Sequence, residues 1–479
     1  MSQINESAIK TPGVYVNEIP SFPPSIAQVA TAIPAFIGYT EQAIDANGNS
    51  LTLIPTRITS FLEYQQYFGG APNETNLQVD IVEHHDSTGL QLVSADVSAS
   101  FNASGPSKYR MFYALQMYFM NGGGDCYIVS VNPYLATGIT LTDLNGGLNA
   151  IEPEDEPTLL VFPDGQGIGA SADYYTLQNA SLALCAKLQD RFALMDVYDN
   201  SGTTANNASG FRSGIGNDNL NYGAVYYPNL GTTLLCTYTD SAVSLNISVS
   251  SDSTGAAILT GSTLADLSGQ NMVVYNQAEA AIELLGVEMA PSAVMAGVMA
   301  AVDGSRGVWK APANVSLNGV QQLTDSITDD SQGNLNIDPA TGKSINAIRA
   351  FTGKGILVWG ARTLAGNDND FRYISVRRFF IMVEESVKLA TMQFVFEPNV
   401  ASTWTKVRAM IENYLTNLWR QGALAGAKPE QAFYVSVGLG QTMIFDDILN
   451  GKMIVEIGLA PVRPAEFIIL RFTQIQQTS

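Results

Sequence analysis

Apolar residues fall along this chain in two rhythms, and the rhythms alternate. ATAIPAFIGY, residues 30–39, is a nearly unbroken apolar run of strand length, and after an Asn47-Gly48 turn residues 51–54 read as a second strand. Ser60 then precedes Phe61, Leu62, Tyr64 and Phe68, a spacing that predicts a capped short helix with all four side chains inward, closed by Gly69-Gly70. YRMFYALQMYFM, residues 109–120, is apolar nearly all round; it predicts a buried helix ended by Asn121 and three glycines, with a strand over 126–131. TLLVFPD, a helix over about 174–188 and RFALMDVY come next, the strand, helix, strand order of a right-handed crossover joining a parallel pair. YGAVYY, residues 222–227, supplies a further strand.

Two stretches break this regularity. Residues 71–106 are polar, hold His84 and His85, and read as an inserted loop or hairpin. Residues 231–275 are rich in Thr, Ser and Val; LLCTYT, VSLNISVS and AAILTGS read as short strands of a small β insertion. A helix over about 277–285, an Ala/Gly/Met-rich segment over 293–301 and an exposed Asp/Asn/Ser/Gly loop over 318–342 follow. Beyond them, Ser375 precedes a helix patterned by Val376, Phe379, Phe380, Val383 and Val387 that Pro398 stops, and a second amphipathic helix runs over 404–420. Strands over 432–437 and 453–457 complete this part.

Both chain ends carry apolar extended segments. Residues 14–19 form a short strand fenced by Pro20, Pro23 and Pro24, which keep it extended and out of a central sheet of its own domain. Residues 466–475 alternate Ile468, Leu470 and Phe472 against Phe467, Ile469 and Ile475, with Arg471 and Thr473 interrupting the second face. A strand of that kind left unpaired is an aggregation hazard, so both its edges call for partners.

The 479 residues, 46% of them apolar, suffice for two or three domains with a substantial core. MSQINESAIK, at the start, has no apolar centre, so no secretory leader is expected, and the longest nearly uncharged apolar run, 288–303, is too short to span a bilayer. Cys126, Cys185 and Cys236, odd in number and far apart, argue against a disulfide framework or a metal knuckle. The net charge of −20 is unevenly spread: residues 1–344 carry 10 Lys and Arg against 33 Asp and Glu, residues 345–479 carry 14 against 11. The acidic part repels nucleic acid and membranes, and an acidic partner is expected at the slightly basic C-terminal part.

Signatures of catalysis fail on a required component. The two histidines sit side by side in a polar segment, with no strained G-x-S-x-G nucleophile turn to serve. Gly342-Lys343-Ser344 ends like a phosphate loop, but Ile337 stands where its first glycine belongs. The triple glycine after Met120 follows a helix and precedes a strand, the reverse of a phosphate-binding turn. Asp368 with Asp370, and Asp329 with Asp330, lack the ligand spacing of a calcium loop. No catalytic, cofactor or metal residue is assigned, and an α/β-type enzyme stands as the alternative reading.

TPGVYVNEIPS, ITSFLEYQQYFGG, YALQMYFMNGGGDCYIVSV, SRGVWKAPAN, INAIRAFTGKGILVWGARTL, YISVRRFFIMVEES, FEPN, YLTNLWRQGALAGA and VEIGLAPVRPAEFIILRF, in that order from residue 11 to 472, resemble the tail sheath proteins of contractile phage tails, tailocins and contractile injection systems. The resemblance implies a mixed α/β, multidomain subunit: an N-terminal arm (1–23), an outer α/β domain (24–344) bearing the insertions at 71–106 and 231–275, an inner tube-facing domain (345–464) and a C-terminal arm strand (465–479). It implies a structural, non-enzymatic function without cofactor: a helical homo-oligomer around an inner tube protein, joined to baseplate and terminator proteins, that contracts to drive the tube through a membrane. A fibre of this chain alone and one shared with sheath paralogues are both compatible with the resemblance. Such a subunit is made in a bacterial cytoplasm and works in a phage-tail-like particle. Val14, Tyr15, Val16, Glu18 and Ile19, and Phe467, Ile468, Ile469, Leu470, Arg471 and Phe472, are the implied inter-subunit arm residues, added as strands to a neighbour's sheet. Asp446, Asp447 and Lys452, around the short helix of 443–449, are the candidate tube contacts.

Overall fold

The computed structural model describes residues 25–134, 138–198 and 201–471. By density of internal contacts the chain divides into a smaller unit, residues up to Val29 with Val383–Val462, and a larger unit, Ala30–Met382 with Arg463–Ser479.

An eight-stranded sheet forms the centre of the larger unit. Its order is Gly355–Val358, Asn346–Phe351, Gly223–Tyr227, Phe192–Asp196, Leu159–Val161, Pro34–Thr40, Cys126–Pro133, Thr56–Ile58. The six inner strands run parallel and each outermost strand is antiparallel to its neighbour. Parallel strands covered on both faces need apolar side chains at successive positions, which is why PAFIGYT, LLV, FALMD and GAVYY are buried throughout. The helix Met111–Met120 packs beside Ser292–Arg306. Gly297 permits their close approach, since a Cβ there would stand 2.5 Å from the Tyr118 carbonyl oxygen. The expected boundary at 344/345 runs next to this sheet: Asn346–Phe351 pairs in parallel with Gly223–Tyr227, so residues 345–382 belong with the larger unit.

The two irregular stretches meet. Leu77–His85 and Leu92–Phe101 form an antiparallel hairpin, and Ser244–Val249 adds to it in parallel to complete a three-stranded sheet. Helix Met272–Glu283 packs on this sheet, and Leu77, Val79, Ile81, Leu264, Leu267, Val274, Ala278 and Ile282 share its separate core. Of the three short strands expected in 231–275, only the one inside VSLNISVS forms here, and the insertion ends in helices.

Other departures have local causes. Residues 51–54 are a turn, with Leu53 at φ 57° and the Ile54 N–H donating to Leu51 O, and the strand comes later, at Thr56–Ile58. Ser60 caps Phe61–Phe68 by accepting from Glu63 N, and Tyr64 and Phe68 are buried, but Leu62 points outward, 75% exposed. Within 318–342 lie a strand, Val320–Leu323, and a helix, Asp329–Asn336, whose start Thr328 caps. The next helix begins at Ile374, ahead of Ser375. Lys343 is buried and donates to the carbonyls of Arg212 and Ile215, closing the C-terminus of helix Thr204–Gly214; that is its role in place of a phosphate loop.

In the smaller unit, helix Ala401–Arg420 lays Val407, Met410, Ile411, Tyr414, Leu415 and Leu418 inward and packs on an antiparallel pair, Phe433–Val437 with Val455–Leu459. Asn399 ties the FEPN turn in place: its Oδ1 accepts from Trp404 Nε1 at 2.6 Å and its Nδ2 donates to Lys452 O at 2.8 Å.

Candidate assembly surfaces

Residues 463–471 leave the larger unit as an extended segment without regular secondary structure. One side chain ties it down. Glu466 accepts from Arg362 Nη2 at 2.6 Å and Nε at 3.0 Å, from Asn336 Nδ2 at 2.5 Å and from Tyr373 Oη at 3.1 Å. Burial pushes its carboxyl up, but these hydrogen bonds and the guanidinium charge outweigh that and hold it below the ordinary glutamate value. Past it, Phe467, Ile468, Ile469 and Leu470 are 66%, 78%, 78% and 72% exposed, and Arg471 is exposed too. The strand expected over 466–475 therefore has no ladder within its own chain over the described residues, 466–471. Phe472, and the N-terminal set Val14, Tyr15, Val16, Glu18 and Ile19, lie outside the described residues.

The smaller unit carries a two-stranded antiparallel sheet. Its two strands pair only with each other among the described residues, from Phe433↔Leu459 to Val437↔Val455, so each has one open edge. Two strands alone are marginal in water; the helix Ala401–Arg420 covering one face holds these in place.

Asp446, Asp447 and Lys452 gather at helix Phe445–Leu449, also in the smaller unit. Asp447 is partly committed locally, its Oδ2 accepting from Ile444 N at 3.0 Å, while Asp446 and Lys452 are exposed. Sequence reasoning picked out the charges here and missed the apolar side chains around them: Ile444, Phe445 and Leu449 are 65%, 64% and 69% exposed. Their signal was available, since a five-residue element carrying three large apolar residues has too little face to bury them. Phe396 was missed as well; it is fully exposed at a backbone φ of 69°, rare for an aromatic residue.

The positive balance expected at a tube-facing C-terminal part resides elsewhere. Arg362, Arg377 and Arg378 are buried in the larger unit, Arg378 on Asp303 at 2.6 Å and Arg377 between the rings of Tyr222 and Phe371. Val383–Val462 holds six Lys and Arg against eight Asp and Glu.

Groups with catalytic potential are held in structural roles. Asp164 accepts from the backbone N–H groups of Tyr39, Arg110 and Met111, and Asp196 from that of Ser292, so each closes a helix N-terminus. Burial pushes their carboxyls up to about 6 and about 7 respectively. His84 lies 2.9 Å from Asp96, and His85 Nε2 lies 2.6 Å from Glu83, both within the insertion hairpin. A cleft of about 390 Å³ beside Glu74, Lys108, Tyr109 and Tyr134 contains neither histidine nor cysteine.

Residues 366–475 match the family model described as the phage tail sheath C-terminal domain. The tail sheath proteins of Vibrio phage KVP40 and Burkholderia phage BcepMu are 26% and 28% identical over 133 and 138 residues, 27% and 28% of this chain. Those matches span only 19% and 28% of the two relatives' own lengths. Along nearly the whole chain, the fold is similar to the PVC sheath of an extracellular contractile injection system in the contracted state: 33% identity, 97% of this chain and 98% of the other covered, TM-score 0.63. The helical sheath of the anti-feeding prophage, also contracted, is likewise 33% identical, with 97% and 99% covered and a TM-score of 0.62. With a third of its residues shared over essentially the full length of these sheath subunits, this chain belongs to the contractile tail sheath family.

Proposed function

We propose that this chain is the repeating brick of a contractile sheath: it stacks helically around an inner tube, and contraction of the lattice drives the tube through a target membrane. The observation that carries the reading is the pairing of an apolar, unladdered C-terminal tract with an open-edged two-stranded sheet in the same chain. A segment of one copy completes the sheet of another. Burying four large apolar side chains contributes roughly 1.5 kcal/mol or more apiece, and the backbone ladder adds its hydrogen bonds. Val14, Tyr15, Val16, Glu18 and Ile19 would do the same from the other end of the chain. Because such joints are made by extended segments, the bricks can rotate as rigid bodies while the mesh stays connected.

In this reading the smaller unit faces the tube. Helix Phe445–Leu449 meets the tube through Ile444, Phe445 and Leu449, with Asp446, Asp447 and Lys452 setting orientation at the rim. Baseplate and terminator proteins bound the helix at its ends, in a phage-tail-like particle made in a bacterial cytoplasm. The chain acts as a structural subunit, and its energy comes from the greater burial of the contracted lattice.

Electron microscopy of the purified chain, alone and co-expressed with its inner tube protein, tests the reading. Hollow helical tubes are expected; a chain that stays monomeric at high concentration with the tube protein present would contradict it.

A further inference from the structure

A strand that is apolar on both faces carries little information about its own register. Between Phe467 and Leu470 a slip by one residue exchanges Phe467 and Ile469 for Ile468 and Leu470, apolar for apolar, at small cost. If this tract pairs with a neighbouring copy, something outside it has to set the register. Glu466 is the residue placed to do so. Among the described residues, 467–471 make no hydrogen bond, whereas Glu466 alone makes four kinds of contact, to Arg362 Nε, Arg362 Nη2, Asn336 and Tyr373.

The receiving group is fixed independently of Glu466. The Arg362 side chain is 5% exposed and its Nη1 donates to Gly366 O at 3.3 Å. Its backbone is locked to Asn346, whose Oδ1 accepts from Arg362 N at 2.8 Å and whose Nδ2 donates to Arg362 O at 2.8 Å. A guanidinium held in this way offers a planar fork that accepts a carboxylate in one orientation.

We propose that the Arg362, Tyr373 and Asn336 site is a register stop for the C-terminal arm, gripping Glu466 so that the arm leaves its parent subunit at one fixed point and Phe467 to Leu470 reach the neighbouring copy's sheet in a single register. The proposal rests on the reading of the tract as an inter-subunit arm. Glu466 acts through the strand that follows it and is a positioning residue.

Two-residue insertions on either side of the stop test it. Gly-Ser inserted between Glu466 and Phe467 leaves the grip intact and moves the tract by about 7 Å, one full pleat, relative to the stop. The same dipeptide inserted between Arg463 and Pro464 lengthens the segment equally, upstream of the grip. The full-length chain with each insertion is compared for tube formation by electron microscopy and pelleting, with the melting curve as a check on folding. Loss of tubes for the insertion after Glu466, and retention after Arg463, is expected. Equal outcomes for the two, whether both retained or both lost, would overturn the register stop. Removing residues 467–479 separates the two ideas: if that truncation still forms tubes, the arm reading itself fails; if it does not, while both insertions do, only the register stop fails.

Discussion

Arg362 Nη2 stands 2.6 Å from Glu466 Oε2 and Arg362 Nε 3.0 Å from Oε1, a forked pair that joins residues 104 positions apart and closes the root of the C-terminal segment onto the larger unit. With the arginine side chain 5% and the glutamate 21% exposed, truncating one partner strands the other in a largely dry site. Arg362→Met is expected to cost on the order of 2 kcal/mol in urea unfolding, the partial exposure of Glu466 reducing the full buried-pair penalty. Because the folded carboxyl is held below its ordinary value, its contribution is present above the unfolded glutamate value, about pH 4.3, and is lost as pH falls through the lower folded value. The pair is expected intact from pH 5 to 8; a pH-independent cost of Arg362→Met down to pH 2 would contradict the assignment.

Asp196 has the opposite sign. Its carboxyl, raised to about 7 by burial, favours the fold most when both folded and unfolded states are protonated, and this advantage is lost as pH rises from about 4 through 7. Asp196→Asn keeps an oxygen for the Ser292 N–H and is expected to flatten the stability profile over that range by up to about 1.4 kcal/mol per pH unit. Parallel profiles for the variant and the parent would show that Asp196 is not the group responsible.

His85 has both ring nitrogens against acceptors, Nδ1 at 2.9 Å from Thr254 O and Nε2 at 2.6 Å from the Glu83 carboxylate, while Glu83 also accepts from Ile258 N and Leu259 N. Acceptors at both ring nitrogens favour the protonated ring, and its value is raised by the Thr254 carbonyl first and Glu83 next. The stabilisation is complete below the unfolded histidine value near 6.5 and fades as pH climbs through the folded one. Limited proteolysis of 83–86 and 250–259 is expected to quicken at alkaline pH, and His85→Gln to be cleaved at the faster rate at every pH; a parent protein cleaved at the same rate throughout would contradict this.

Gly297 lets two helices of the larger unit approach at Tyr118, a contact that the sequence pattern could not disclose. Gly297→Val is expected to destabilise by about 3 kcal/mol, since a side chain there meets the carbonyl oxygen of Tyr118 and backbone must move. Phe396→Gly is expected to do the reverse in the isolated chain, gaining about 1 kcal/mol by relieving a positive φ with no buried contact to lose. Denaturant unfolding of both measures this.

Much of the larger unit's framework was legible because buried parallel strands must be apolar at every position: PAFIGYT, FALMD and GAVYY announce themselves. Helices Leu141–Ile151 and Thr204–Gly214 did not, since their Gly and Asn content lowers helix propensity and tertiary packing supplies the difference. The union of the two insertions was hidden for another reason. Leu245 sits opposite Val79 in a parallel ladder that joins residues 166 positions apart, and no local periodicity records a partner that distant. The apolar tract after Glu466 was plain in its alternation, whereas the Arg362 that holds Glu466 gave no signal, because its partner lies 104 positions away.

In the proposed sheath, residues 467–479 join one copy to the next. Electron microscopy of the intact chain beside the chain lacking those residues, each shown to be folded by its melting curve, tests it most directly. Tubes from the intact chain and dispersed folded subunits from the shortened one are expected; tubes of equal abundance from both would contradict it.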